Sequence, residues 1–164
     1  MIALIRDGII NTDGTWADLG AGSGNFTVAL REIVGQEAII HAIDHNARDL
    51  MRNQAANEHH QADFTRPLPV AELDGILMAN ALHWVRKQQT VLAHIKDALK
   101  PDGCLVVVEY DVTIPRPYMV PYPVPFKRLC ALGEATGFTR IRQIGQRQSP
   151  RTGTTMIAVQ LCLN

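Results

Sequence analysis

Apolar and polar positions alternate in blocks that predict strands and helices in turn. Residues 15–20 (TWADLG) read as a short buried strand that ends at a glycine. From Gly24 the period changes. Phe26, Ala29, Leu30 and Ile33 repeat as one face of a helix, and Gly35 is placed to end it. Residues 38–44 (AIIHAID) form a largely apolar run, as expected of a parallel strand covered on both faces. Asn46 is placed to cap a helix over 47–56, with Ala47, Leu50 and Met51 inward. A short third strand is expected near 60–63 and a fourth over 73–80, separated by a loop that contains two prolines. A helix over 86–100 places Val91, Leu92, Ile95, Ala98 and Leu99 inside, and a Pro-Asp-Gly turn leads to a fifth strand over 104–111. Five of the nine prolines fall within 115–125, which excludes a helix or an inner strand there. A helix over 126–136 follows. Two closing strands, 138–146 and 154–163, are joined by a Ser-Pro-Arg-Thr-Gly turn. Strand–helix alternation up to residue 111 predicts a doubly wound, mostly parallel α/β sheet, and the late pair adds an antiparallel strand.

The 164 residues suit one domain, 1–164, with one sizeable core. No apolar run is long enough to span a bilayer, so no membrane partner is expected. The three cysteines (Cys104, Cys130, Cys162) are scattered, and two lie in apolar strand-like runs. They read as buried free thiols, consistent with a reducing, cytoplasmic setting. A net charge of zero hides an asymmetry. Residues 112–164 carry seven basic side chains and one acid, Glu134. Arg140 and Arg142, two apart on one strand, read first as edge protection and second as an anion-binding stripe.

The link between the first strand and first helix, Asp18-Leu19-Gly20-Ala21-Gly22-Ser23-Gly24, is glycine-rich. Glycines allow positive φ and let a ligand approach without meeting a Cβ. The spacing is Gly-x-Gly-x-Gly, and Asn25 stands where a dinucleotide fingerprint wants its third glycine, which disfavours a nicotinamide dehydrogenase. Asp18 precedes the first glycine by two, and Asp44 ends the next strand in AIDHN. In these pieces the chain resembles the class I S-adenosylmethionine-dependent methyltransferases, small-molecule type. WADLGAGSGNFT looks like their first motif, AIDHN their second and QADF (61–64) their third. DGILMANALHWV and LKPDGCLVVVEY look like their fourth and fifth strands with the helix between.

The resemblance implies a Rossmann-like sheet of seven strands, order 3-2-1-4-5-7-6, with strand 7 antiparallel. It implies S-adenosylmethionine as cofactor. Asp18, Gly20, Ala21, Gly22 and Gly24 would hold its amino-acid end and approach. Asp44 would accept the ribose hydroxyls. His45, Asp63 and Phe64 would surround the adenine, and Asn80 would close the cofactor site at the end of the fourth strand. Each of these has a plainer alternative: a helix cap for Asp44, a local turn for Asp18, a loop acid for Asp63, a core or surface ring for Phe64 and His45.

His83 is the candidate catalytic base, since imidazole titrates near neutrality. Its alternative role is to close the pocket together with Trp84. The run Asn80-Ala81-Leu82-His83 lacks the prolines and the aromatic of the base-methylating motif Asn/Asp-Pro-Pro-Tyr/Phe. A small-molecule acceptor is therefore favoured over nucleic acid. Two other readings stand beside this one: a module that binds the cofactor without turnover, and an RNA-modifying enzyme using the basic C-terminal third. Tyr118 and Tyr122 in the proline segment read as a wall over the acceptor or as a spacer. His59-His60 lacks metal-ligand spacing, so no metal is expected. Only about 14 residues precede Thr15. That predicts either an open pocket or one completed by a second copy in a homo-oligomer.

Overall fold

The computed structural model describes residues 1–150 and 152–164. Seven strands form one sheet: β1 (Thr15–Leu19), β2 (Ile39–Asp44), β3 (Glu58–Gln61), β4 (Leu73–Ala79), β5 (Leu99–Tyr110), β6 (Arg140–Gln148) and β7 (Thr155–Cys162). Their order is β3-β2-β1-β4-β5-β7-β6, as the resemblance implies. The first five strands pair in parallel, and β7 runs antiparallel to both β5 and β6.

Helices cover both faces because the strands are apolar on both sides. On one face, α4 (Gln88–Ala98) and α5 (Phe126–Thr136) bury Val91, Leu92, Ile95 and Leu129 against Leu105, Val107 and Val159. On the other, α1 (Ile2–Ile5) and α2 (Asn25–Val34) pack Leu4, Ile5 and Leu30 against Trp16, Ile40, Val106 and Val108. Trp16 is fully buried, and its indole Nε1 donates to the Asn11 carbonyl at 2.8 Å. Its ring lies so close to Gly75 that a Cβ there would meet it at 2.3 Å. β4 therefore needs a glycine at that point.

Several helix ends follow the sequence signals. Asn46 caps α3 (Ala47–Leu50) by accepting from the Arg48 and Asp49 amides. Gly137 ends α5 with φ +101°. Other features differ from expectation. The helix expected over 47–56 stops at Leu50 and leaves Met51 85% exposed. The chain leaves the helix there and brings Asn53 inside, where its Nδ2 donates to Thr27 Oγ1 at 2.8 Å. β3 starts earlier than expected, at Glu58. The Pro101–Gly103 turn is a bulge within β5: Leu73 pairs Leu99, while Gly75 already pairs Cys104. The Ser-Pro-Arg-Thr-Gly turn includes Arg151, which lies outside the described residues.

The cysteine expectation is overturned. Cys104 and Cys162, 58 positions apart, face each other across the β5–β7 ladder and are joined by a disulfide. Cys130 alone is free and half-buried. The partner of Cys104 is set by which strand lies beside β5, and no local pattern reveals that. Cysteine usage therefore no longer supports a reducing compartment. Among the described residues, no helix is long and apolar enough to cross a membrane.

Candidate functional site

The carboxyl ends of β1, β4 and β5 open into a cavity of about 520 Å³. It lies where strand order reverses between β1 and β4, the usual ligand position in such sheets. Asp18, Gly20, Ala21, Gly22 and Asn80 all line it. So do Tyr110 from β5 and Met1 and Leu4 from the N-terminal segment. The few residues before β1 thus form a turn of helix bordering the site.

The glycine loop is shaped by the strands it joins. The amides of Gly20 and Ala21 both donate to the Ile43 carbonyl, at 2.8 and 3.2 Å. Gly20, Gly22 and Gly24 all have positive φ. Their reasons for being glycine differ. A Cβ on Gly20 would meet the Ala81 methyl at 2.7 Å, and one on Gly24 would meet the Asn53 side chain at 2.5 Å. A Cβ on Gly22 would meet nothing within 4 Å, so this residue faces open space. Gly22 is therefore the glycine a ligand can approach, while Gly24 serves the packing of Asn53 and lies off the cavity.

Asp18 ends β1 and is almost fully buried. It accepts a 2.6 Å hydrogen bond from Thr27 Oγ1, which itself accepts from Asn53. Burial pushes its carboxyl up to about 7; the Thr27 bond opposes this and the charge of Asp44 adds to it. Asp18 thus stands near the midpoint of its titration at neutral pH.

Asp44 ends β2 just behind the loop. Its Oδ2 accepts from the Gly22 amide at 2.9 Å and its Oδ1 from the Asn46 amide at 2.8 Å. It does not itself line the cavity, and it is not the cap of α3, a role taken by Asn46. His45 lies beside it, with Nδ1 3.3 Å from Asp44 Oδ1 and a side chain 84% exposed. Asp63 is exposed and closes a local turn by accepting from the amide and hydroxyl of Thr65, at 2.9 and 2.7 Å. Those bonds, the hydroxyl's foremost, hold its carboxyl below the usual range. Phe64 is half-buried against the main core, with a ring carbon 3.5 Å from where a Gly20 Cβ would stand. Asp63, Phe64 and His45 all lie away from the cavity that Asp18 and Asn80 share.

Asn80 follows β4 with φ +52°, unusual for a non-glycine residue. Its amide donates to the Val108 carbonyl at 2.8 Å. Its side-chain Oδ1 is buried without a hydrogen-bond partner among the described residues. An orphaned acceptor of this kind costs roughly 1–3 kcal/mol, which a ligand donor would recover. With the open approach at Gly22, it makes the cavity fit a cofactor that carries N–H or O–H donors.

His83 lies in a short 3-10 turn, Leu82–Trp84, and is buried away from this cavity. Its Nδ1 and its backbone amide both meet the Glu109 carboxylate, at 2.5 and 3.1 Å. Glu109 is fully buried in β5 and received no role from the sequence. A lone acid within the apolar run LVVVEY was the signal available for it. Trp84 is half-exposed, its ring 5.1 Å from that of His83, and is not a pocket wall. Tyr118 is 98% exposed, so its ring is not a wall either. Tyr122 binds the turn by its backbone, its amide donating to the His83 carbonyl and its carbonyl accepting from Gln88 Nε2. The proline segment is a strap behind His83. Arg142, on edge strand β6, donates to Gln160 Oε1 and to the Asp7 carbonyl, which ties it to the N-terminal segment.

A model of a methyltransferase domain family matches residues 17–107. No curated protein matches the sequence. Solved structures are similar in fold. A SAM-dependent methyltransferase from Aquifex aeolicus shares 17% identity at TM-score 0.74, over 98% of this chain and 87% of that one. One from Thermotoga maritima, described as a possible histamine N-methyltransferase, shares 14% at TM-score 0.78, over 99% and 87%. The Burkholderia thailandensis 1,6-didemethyltoxoflavin-N1-methyltransferase, solved with bound 1,6-didemethyltoxoflavin and S-adenosylhomocysteine, shares 20% at TM-score 0.70, over 91% and 70%.

Proposed function

The chain belongs to the methyltransferase-domain family, and from that premise we propose that it methylates a small or medium-sized organic acceptor at an O, N or C atom. It is an S-adenosylmethionine-dependent enzyme of the class I fold. When bound, S-adenosylmethionine supplies a methyl group on a positively charged sulfur, open to in-line displacement by an acceptor lone pair. A neutral thioether leaves, so the protein's main task is to align the two reactants.

The observation that carries this reading is the shared cavity. Asp18, the open face of Gly22 and Asn80 all line it. Asp18 would hold the cationic amino-acid end, and Asn80 would accept from a donor on the cofactor. Asp44 would bind the ribose hydroxyls through the lone pairs left by Gly22 and Asn46. Asp63, Phe64 and His45 would border the adenine from outside the present cavity. His83 is buried off this cavity, where its Nδ1 and its amide meet the Glu109 carboxylate, so we assign it to fixing the turn after β4 rather than to taking the acceptor's proton. The cavity's volume is in the range of small-ligand sites. Arg142 is exposed but its guanidinium is engaged by Gln160 and the Asp7 carbonyl, which speaks against a free paired arginine stripe for RNA. A single sheet with a core on each face supports reading 1–164 as one domain.

The test is turnover. The enzyme is incubated with S-adenosylmethionine and a panel of phenols, amines, carboxylic acids and activated carbon acids. Release of S-adenosylhomocysteine that depends on one acceptor class is expected. Release that depends only on added RNA would overturn the small-acceptor reading.

A further inference from the structure

β2 and β3 place two histidines and a glutamate on one face at the edge of the sheet. In the parallel register His41 lies opposite Glu58, and His60 comes one pleat further along β3. Their polar atoms converge: His41 Nδ1 is 3.0 Å from His60 Nε2 and 3.3 Å from Glu58 Oε2, and His60 Nε2 is 3.6 Å from that oxygen. We propose that His41, Glu58 and His60 form a three-ligand site for a zinc-type divalent cation, with the fourth position open to solvent.

Three observations carry the proposal. The first is donor chemistry. Two imidazole nitrogens and one carboxylate oxygen are a common ligand set for zinc. The second is size. Ligand bonds of about 2.0–2.1 Å in a tetrahedron require ligand atoms about 3.3 Å apart. The three separations here straddle that value. The third is hydrogen-bond accounting. Three lone-pair atoms face one another, and with both imidazoles neutral one shared proton serves only part of the triangle. A cation serves all three. His59, between Glu58 and His60 on β3, uses its Nε2 on the Asn53 carbonyl and is not part of the set. The Glu58 side chain is more than half exposed, which leaves the fourth position reachable.

Such a site would fasten β3 to β2. β3 is an edge strand of only four residues, paired on one side.

The test uses the untagged full chain, stripped with a chelator. Zn²⁺ is titrated by calorimetry and Co²⁺ by visible absorption, with Mg²⁺ as control. One Zn²⁺ per chain, the intense absorption of four-coordinate Co²⁺, and a thermal midpoint raised by Zn²⁺ but not Mg²⁺ are expected. H60Q and E58Q, both on the edge strand, should each weaken Zn²⁺ binding by at least about 10-fold, the lower bound for disturbing even an outer partner of a metal ligand. H59Q should bind as the parent does. Circular dichroism confirms that each variant is folded. Absence of saturable Zn²⁺ binding in the parent would overturn the proposal. So would unchanged affinity in folded H60Q and E58Q, which would leave only a His–His hydrogen bond at this edge.

Discussion

Replacing Asp18 with asparagine should remove the pH dependence that this residue imposes on the protein's stability. Asp18 is buried, and its carboxyl is raised from 3.8 to about 7. The folded chain therefore holds this proton more tightly than the unfolded chain. Stability from this group is fully present below about pH 4 and is lost as pH rises through about 7. A shift of about 3 units at about 1.36 kcal/mol each sets an upper bound of about 4 kcal/mol on that loss. Asparagine mimics the protonated acid and can still accept from the Thr27 hydroxyl through its own oxygen. The difference in unfolding free energy between variant and parent should therefore grow in the variant's favour from pH 4.5 to 8.5. In a domain of this size the bound corresponds to a thermal midpoint difference of roughly 8–16 °C. Urea denaturation of both proteins across that range, in cofactor-free buffer, measures it. The difference between them cancels the opposite trend expected from carboxyls held low, such as Asp63 and Asp74. Parallel stability curves would refute the argument, since they would mean that Asp18 stays ionised in the folded protein or is not desolvated.

The same residue should couple pH to the cofactor. A cationic ammonium beside Asp18 favours its charged form, so S-adenosylmethionine should bind with proton release and tighten as pH rises through about 7; calorimetry in buffers of different ionisation heat reads this directly. G22V places a side chain in open space at φ +52°, so it should abolish cofactor binding with a stability loss of only about 1–2 kcal/mol; normal binding would show that the loop does not touch the ligand. Asp44→Ala should weaken S-adenosylhomocysteine by about 10–100-fold while the fold persists, as expected for losing a charge-assisted acceptor. G75A should destabilise by about 1–3 kcal/mol, because its methyl would overlap the Trp16 ring.

Local chemistry in the chain determined much of this protein. Period and breakers place the strands and most helices, since an apolar face must be buried and a glycine or proline must end a helix wherever the chain later folds. The Gly-x-Gly-x-Gly loop after β1 marks the edge of the sheet where the cavity lies, because backbone approach depends on adjacent residues. Tertiary structure decided whatever depends on which strand lies beside which. β7 next to β5 joins Cys104 to Cys162. The buried Asn53–Thr27 bond stops α3 after one turn. The order of β4 and β5 puts Glu109 against His83, and the register of β2 with β3 gathers His41, Glu58 and His60. The residues before β1 border the site because Arg142 and Gln160 hold the carbonyls of Asp7 and Gly8. Such pairings span tens of positions and leave no periodic trace. They arise from the lowest free energy of the whole sheet, where a buried polar group takes whichever partner the topology brings within reach.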